Sequence, residues 1–311
     1  MSVRPETSVL RDRFRGTLLG TAIGEALGAP ANFLTSDQIA ARYGIITEMI
    51  GGGCLGVAPG ETTDATEMML CLAESLADVG NYDAEDVMDR YLAWFVSVPT
   101  DMSLAVRTAL LSYRSGTPWD LASRRAHEIL GSPTAGNGSL MRCAPLALRY
   151  LEDQETRHAV SQRESTLTHF DRLAGASCVA FNDLVVAAIH DDLHEQLDVV
   201  AEAMMDEDKR VSGVLRDAVE AEPEEIQGSA FVLDTLCAAV WSVLRTASFE
   251  DALVLVVNMG DDADTVAAVT GALAGAVYGE SGIPARWLNC LRVYDRVVAV
   301  ADRLVDIVLA G

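Results

Sequence analysis

The chain has almost no lysine. Lys209 is the only one in 311 residues, and it stands in the acidic run Asp206-Glu207-Asp208-Lys209-Arg210 with no glycine-rich loop before it. That argues against a Walker A phosphate loop, which needs lysine directly after its glycines, and against Schiff-base chemistry with pyridoxal phosphate. Positive charge is scarce altogether: Lys+Arg 23 stand against Asp+Glu 46, a net charge of −23. Neither a polyanionic nucleic acid nor an anionic membrane surface suits such a chain. A nucleotide-like anion can still bind locally, through backbone N–H groups or bridging cations.

Other absences narrow the reading further. The six cysteines, at 54, 71, 143, 178, 237 and 290, form no C-x-x-C pair and no cluster with histidine. They read as reduced core residues of a cytoplasmic protein rather than a disulfide framework or a zinc site. Met1 to Leu10 is polar and followed by Arg11, Arg13 and Arg15, unlike a signal peptide. The longest uncharged apolar stretch, Thr265 to Gly279, is short of the ~20 residues of a membrane span. Aromatic residues are only 6%, and alternating strand-like runs are nearly missing, with Ile45 to Ile50 the best of them.

What is present is helical periodicity. Apolar residues recur at three- and four-residue spacing over 65–79, 84–96, 103–113, 172–190, 196–205, 230–246, 251–257, 264–277 and 286–309. This predicts an all-α fold of roughly ten or more helices. Turn signals are dispersed, at Gly51-Gly52-Gly53, Ala58-Pro59-Gly60, Gly116-Thr117-Pro118 and Ser132-Pro133-Thr134. No linker or low-complexity block divides the chain, so 1–311 reads as a single compact multi-helix domain with residues 1–9 as a mobile tail. Glycines recur every fourth residue at Gly16, Gly20, Gly24 and Gly28, and again at Gly271, Gly275 and Gly279. Each set lies on one helix face and lets another backbone approach, so these two helices are expected to be central.

Two segments that resemble known motifs lack the right context. Gly51-Gly52-Gly53-Cys54-Leu55-Gly56 fits G-x-G-x-x-G but runs into Val57-Ala58-Pro59-Gly60, which is loop and not helix. His190-Asp191-Asp192-Leu193-His194 places two imidazoles four apart, without the Glu of H-E-x-x-H, and reads as a solvated helix end.

Three polar segments carry the chemistry. Asn258-Met259-Gly260-Asp261-Asp262-Ala263-Asp264-Thr265 sits between two apolar helices, and such clustered carboxylates repel one another unless a cation neutralises them. Their oxygens suit Mg²⁺ or Mn²⁺; the alternative is helix capping by Asp262 or Asp264. Glu61-Thr62-Thr63-Asp64-Ala65-Thr66-Glu67 repeats the pattern, with Thr63 or Asp64 as N-cap and Glu67 completing a capping box as its alternative. Brought together, the two segments would supply both sides of a two-metal site. Ala135-Gly136-Asn137-Gly138-Ser139-Leu140-Met141-Arg142 offers backbone N–H groups to a diphosphate, or is an ordinary turn and helix start.

In order, Gly16 to Gly28, Thr63-Asp64-Ala65-Thr66-Glu67-Met68, Tyr91-Leu92-Ala93-Trp94, Pro99-Thr100-Asp101, Gly136 to Leu146, Thr168-His169, Asp234-Thr235-Leu236, Asp262-Ala263-Asp264-Thr265, Ile283-Pro284 and Trp287 resemble the ADP-ribosylglycohydrolase family, which includes the dinitrogenase-reductase-activating glycohydrolases. The resemblance spans most of the chain. It implies an all-α fold around two Mg²⁺ or Mn²⁺ ions, and hydrolysis of the N-glycosidic bond between ADP-ribose and arginine or of a related ADP-ribosyl linkage. Carried over by position, Thr63, Asp64, Asp262, Asp264 and Thr265 are metal ligands. Asp101 is the general base, with Asp64 also at the catalytic centre. Asn137, Gly138, Ser139 and Met141 line the ADP-ribose pocket, with His169 nearby. The partner implied is ADP-ribose or an ADP-ribosylated protein.

The chain also departs from the family. T-D-D-T reads Thr63-Asp64-Ala65-Thr66, and a usual acidic residue is Asn32. G-D reads Gly24-Glu25, G-G-D reads Gly260-Asp261-Asp262, and a usual tyrosine is Phe231. The two lost carboxylates weaken one metal site, with Asp261 or Glu67 as compensating groups. They also keep open a non-catalytic role, binding ADP-ribose or an ADP-ribosylated protein or acting as an immunity protein against an ADP-ribosyltransferase. A third reading is a metal-dependent hydrolase of another nucleoside-like or glycosidic substrate.

Overall fold

The computed structural model describes residues 5–131, 135–191 and 193–310, so residues 1–4, the turn expected at 132–134, Asp192 and Gly311 lie outside the described residues. Among the described residues the chain forms sixteen α-helices and no strand. They are α1 (Thr7–Gly28), α2 (Ser36–Tyr43), α3 (Asp64–Val79), α4 (Ala84–Val96), α5 (Leu104–Arg114), α6 (Trp119–Leu130), α7 (Ala144–Arg149) and α8 (Gln154–Ser165), then α9 (Arg172–Ile189), α10 (Leu193–Glu207), α11 (Lys209–Glu220), α12 (Val232–Arg245), α13 (Phe249–Val257), α14 (Ala263–Tyr278), α15 (Ala285–Cys290) and α16 (Tyr294–Ala310). The all-α expectation holds. Thr7 to Val9, placed by the sequence in a mobile tail, are the first turn of α1.

The glycine stripes meet each other. α1 and α14 run antiparallel, and a methyl added at Gly16, Gly20, Gly24 or Gly28 would fall on the backbone of Gly275, Gly271, Ala267 or Ala263. At such contact only hydrogen fits in place of Cβ. The consequence is positional: the C-terminal end of α1 is pinned beside the N-terminal end of α14. Buried apolar side chains from α1 through α16 form one cluster around this pair.

α9 is 18 residues long and apolar enough by length and composition to cross a membrane, but 89% of it is buried inside the protein. It is largely apolar because α7, α8, α10, α12 and α14 all pack on it, and its buried Asn182 and Asp183 meet Ser161 and Arg157 of α8. α16 packs on α1, α3 and α7, tied to α1 by a two-pronged Arg15–Asp302 pair at 2.7 Å and to α3 by Arg296, which reaches Glu67 and Glu74.

Two local expectations change. Ile45 to Ile50 is not a strand: the Asn258 side chain bonds both the N–H and the C=O of Ile46, and Trp287 Nε1 bonds the carbonyl of Thr47. Side chains supply the backbone partners that a neighbouring strand would otherwise provide. Residues 286–309 are not one helix, because the chain leaves α15 to hydrogen-bond Arg292 N to Gly60 O before α16 begins. The glycine-rich 51–56 segment is a turn closed by Gly52 N to Val57 O, with Gly51, Gly52, Gly53 and Gly56 all at positive φ. A side chain at Gly53 would meet the Ala29 carbonyl, so this turn lies against the exit from α1.

Candidate functional site

The site starts from two helix N-termini whose capping residues are occupied elsewhere. Thr63 stands at the N-cap position of α3, yet its side chain caps nothing; its hydroxyl donates to Glu25 Oε1 at 2.8 Å. Glu25, reaching across from α1, does the capping instead. It accepts from the N–H groups of Ala65 and Thr66 and from the Thr66 hydroxyl. Glu67 is held by Arg296 at 2.9 Å. The capping box is therefore absent, and Glu67 is not free to replace a lost carboxylate. Among the described residues the carboxylate of Asp64, buried at the first position of α3, accepts no hydrogen bond from another side chain.

Asp262 is likewise at the N-cap position of α14 without capping it. Its oxygens accept from Asn137 Nδ2 at 2.6 Å and the Thr265 hydroxyl at 3.4 Å. Asp264 accepts from Thr265 N at 2.8 Å and from Asn32 Nδ2 at 2.6 Å. The 29–31 turn after α1 delivers Asn32, whose own Oδ1 is buried and has no partner. The rim is backbone-paired, Phe33 N to Asp261 O and Asp261 N to Leu34 O. Phe33 and Asp261 both hold positive φ, 61° and 56°. Non-glycine residues in that region cost about 1–3 kcal/mol each and persist only where the surroundings fix them.

The electrostatics are one-sided. Burial raises the Asp64 carboxyl well above its ordinary value, and the negative charges of Glu25, Asp101 and Asp262 raise it further. Asp264 is raised by burial, then by Asp262, Asp64 and Glu25. Burial also raises Asp262, against hydrogen bonds from Asn137 and Thr265 that lower it. Glu25 is raised by burial, opposed by its bonds from Thr66, Thr63 and Ala65. These influences bring Glu25, Asp64, Asp101, Asp262 and Asp264 into one neighbourhood, and no arginine is among the main influences on Glu25, Asp64, Asp262 or Asp264. Among the described residues no three Asp, Glu, His or Cys side chains form a metal cage by themselves. The donor chemistry nevertheless fits a hard cation: carboxylates without a basic neighbour, two threonine hydroxyls and an unpartnered amide oxygen.

The remaining residues arrange around this cluster. Asp101, half-buried in the loop between α4 and α5, accepts Met102 N at 2.8 Å through Oδ1. Asn137 bridges Asp262 and Thr235 Oγ1. His169 is buried with Nδ1 on the Thr168 hydroxyl, and its ring lies against Gly136 and Gly138, where a Cβ on Gly138 would strike it. Ser139 is fully buried and its hydroxyl meets Ser165 Oγ at 2.8 Å, so it faces the core. Met141 is buried too and joins the apolar core. His190 and His194 do not share a helix face: His190 ends α9, beside Glu152, and His194 belongs to α10.

Sequence reasoning missed the roles of Glu25 and Asn32 as partners of the two acidic segments. A carboxylate within an apolar, glycine-striped helix was the available signal for Glu25, because such a group is rarely buried without a partner. It also missed what stands behind the 136–142 loop. Arg142, fully buried, bonds Glu164 at 2.7 Å and lies over the Tyr91 ring, while the Tyr91 hydroxyl donates to the same Glu164 oxygen.

The chain matches the ADP-ribosylglycohydrolase family model over residues 6–310. It is 35% identical over 302 residues to the ADP-ribosyl-[dinitrogen reductase] glycohydrolase of Rhodospirillum rubrum, covering 97% of each chain. It is 34% identical over 309 residues to the ADP-ribosylarginine hydrolase Tri1 of Serratia proteamaculans (strain 568), covering 96% of this chain and 80% of that one. A solved structure described as an ADP-ribosylglycohydrolase-related protein complex superimposes with a TM-score of 0.82 at 36% identity, over 96% of this chain and 99% of that one. The helical architecture, the ordered motifs and these matches agree: the chain belongs to the ADP-ribosylglycohydrolase family of enzymes.

Proposed function

We propose that the protein hydrolyses the N-glycosidic bond joining ADP-ribose to an arginine side chain, or a related ADP-ribosyl linkage, on an ADP-ribosylated protein or peptide. The observation that carries this reading is the convergence of two helix N-termini whose carboxylates neither cap their helices nor meet a basic side chain. The printed activities of the two bacterial relatives support the substrate class.

Thr63, Asp64, Asp262, Asp264 and Thr265 would hold Mg²⁺ or Mn²⁺. When bound, such a cation supplies charge neutralisation and a grip on ribose hydroxyls. Each threonine donates its hydroxyl proton to a neighbouring carboxylate, Thr63 to Glu25 and Thr265 to Asp262, which leaves the oxygen lone pairs for ligation. Asp101 keeps one oxygen on Met102 N and uses the other to take a proton from the attacking water. The water oxygen joins the anomeric carbon, the C–N bond breaks, and its electron pair leaves with the guanidino nitrogen, which receives the proton that Asp101 took from the water. The developing positive charge on the ribosyl ring, as in other glycoside hydrolyses, lies beside a carboxylate cluster that favours it. Asn137 N and Met141 N are spent on the carbonyls of Ala230 and Asn137, so the N–H groups between them, braced against His169, would hold the diphosphate, and the buried Ser139 and Met141 side chains anchor that loop from behind.

The test is incubation with an ADP-ribosyl-arginine peptide in Mg²⁺, Mn²⁺ or chelator, beside an Asp262→Ala/Asp264→Ala variant. Metal-dependent release of ADP-ribose that the variant loses supports the hydrolase. ADP-ribose binding without turnover favours the second reading, a binding or immunity protein, for which Ala65 and Asn32 speak. Neither binding nor release overturns both.

A further inference from the structure

We propose that this site takes one divalent cation per chain, and that the amide group of Asn32 occupies the electrostatic place of a second. The inference rests on the metal reading above and goes beyond it to stoichiometry.

Three observations carry it. Of Glu25, Asp64, Asp262 and Asp264, Glu25 is committed to the first turn of α3, where its charge faces the helix N-terminus and two hydroxyls. That leaves Asp64, Asp262 and Asp264 for ligands. Three carboxylates are a full anionic set for one hard cation and a small one to share between two. Next, each of the two α14 carboxylates already accepts a short amide bond on Oδ2, from Asn32 and from Asn137, both at 2.6 Å. An amide N–H presents a fixed partial positive charge to that oxygen and occupies one of its lone pairs. Finally, Asn32 Oδ1 is buried without a partner, and Ala65, beside Asp64, carries no oxygen on its side chain. A neutral amide oxygen is a serviceable ligand for one hard cation and a poor substitute for a carboxylate bridging two.

The experiment counts metal without using activity. The full chain is stripped with chelator and titrated with Mn²⁺, following the loss of the free-ion signal and the shape of the bound-ion signal by electron paramagnetic resonance. The same titration is run on an Ala65→Asp/Asn32→Glu variant. The expected result is one Mn²⁺ per wild-type chain with an uncoupled signal, any second ion binding at least ~100-fold more weakly. The double variant is expected to take two ions with a spin-coupled signal. Two tight ions in the wild type overturn the stoichiometry and leave the metal reading standing. No tight ion overturns both. A folded double variant that still takes one ion overturns the assignment to Ala65 and Asn32; if it fails to fold, the wild-type count decides alone.

Discussion

Both carboxylate oxygens of Glu25 are bonded to the first turn of α3, a role its place in the chain does not announce. Glutamine offers one acceptor oxygen where Glu25 uses two, so Glu25→Gln leaves buried N–H or O–H donors unmet. We expect a loss of about 1–3 kcal/mol in urea unfolding, against less than about 1 kcal/mol for Glu67→Gln, whose partner Arg296 is at the surface. His169 gives the pH prediction. Burial lowers its pKa to about 3, with the Arg142 charge adding to the effect. An unfolded imidazole titrates near about 6.5, so between those values the unfolded chain binds the extra proton. The stability that His169 contributes is present above pH ~6.5 and declines as pH falls towards about 3. Imidazole titration by NMR should therefore show His169 neutral from pH 8 down to 5. A midpoint near neutrality for this ring would contradict its enclosure by the 136–138 loop. At this scale the sequence shows which residue types are present, while hydrogen bonds such as Asn32 to Asp264 join positions far apart in the chain.

The α1–α14 pair is the element on which the site depends, since it sets the end of one helix beside the start of the other. Gly20→Ala places a methyl on the Gly271 carbonyl, which is backbone and has little room to yield. A loss of about 3 kcal/mol or more is expected in thermal or denaturant unfolding, the upper end for overpacked positions. Gly213→Ala in α11 is the matched control. Nothing lies near its added methyl, and helix propensity favours alanine by up to about 1 kcal/mol, so this variant should gain stability. The glycine spacing was legible because a four-residue stripe has one geometric meaning on a helix. The break at 291–293 was not, because it is enforced by bonds from Arg292 to the 59–60 loop and by no local turn signal.

For the whole molecule, a ligand that binds only the folded state raises its stability by mass action. Mg²⁺ or Mn²⁺ at 100 times its dissociation constant should add about 2.7 kcal/mol, read as an upward shift in melting temperature that chelator reverses. Asp264→Ala should abolish the shift, and an unchanged melting temperature in the wild type would count against a cation at the carboxylate cluster. The sequence by itself determined the helical class, the two central helices and an oxygen-rich set of candidate ligands, because periodicity, glycine spacing and residue chemistry are local properties of the chain. Only the tertiary structure decided that Glu25 caps α3 in place of Thr63, that Asn32 and Asn137 bond the α14 carboxylates, and that Ser139 faces the core. Each of those outcomes is a choice among partners that burial brings within reach, and a buried polar group must take one of them or pay for its lost water.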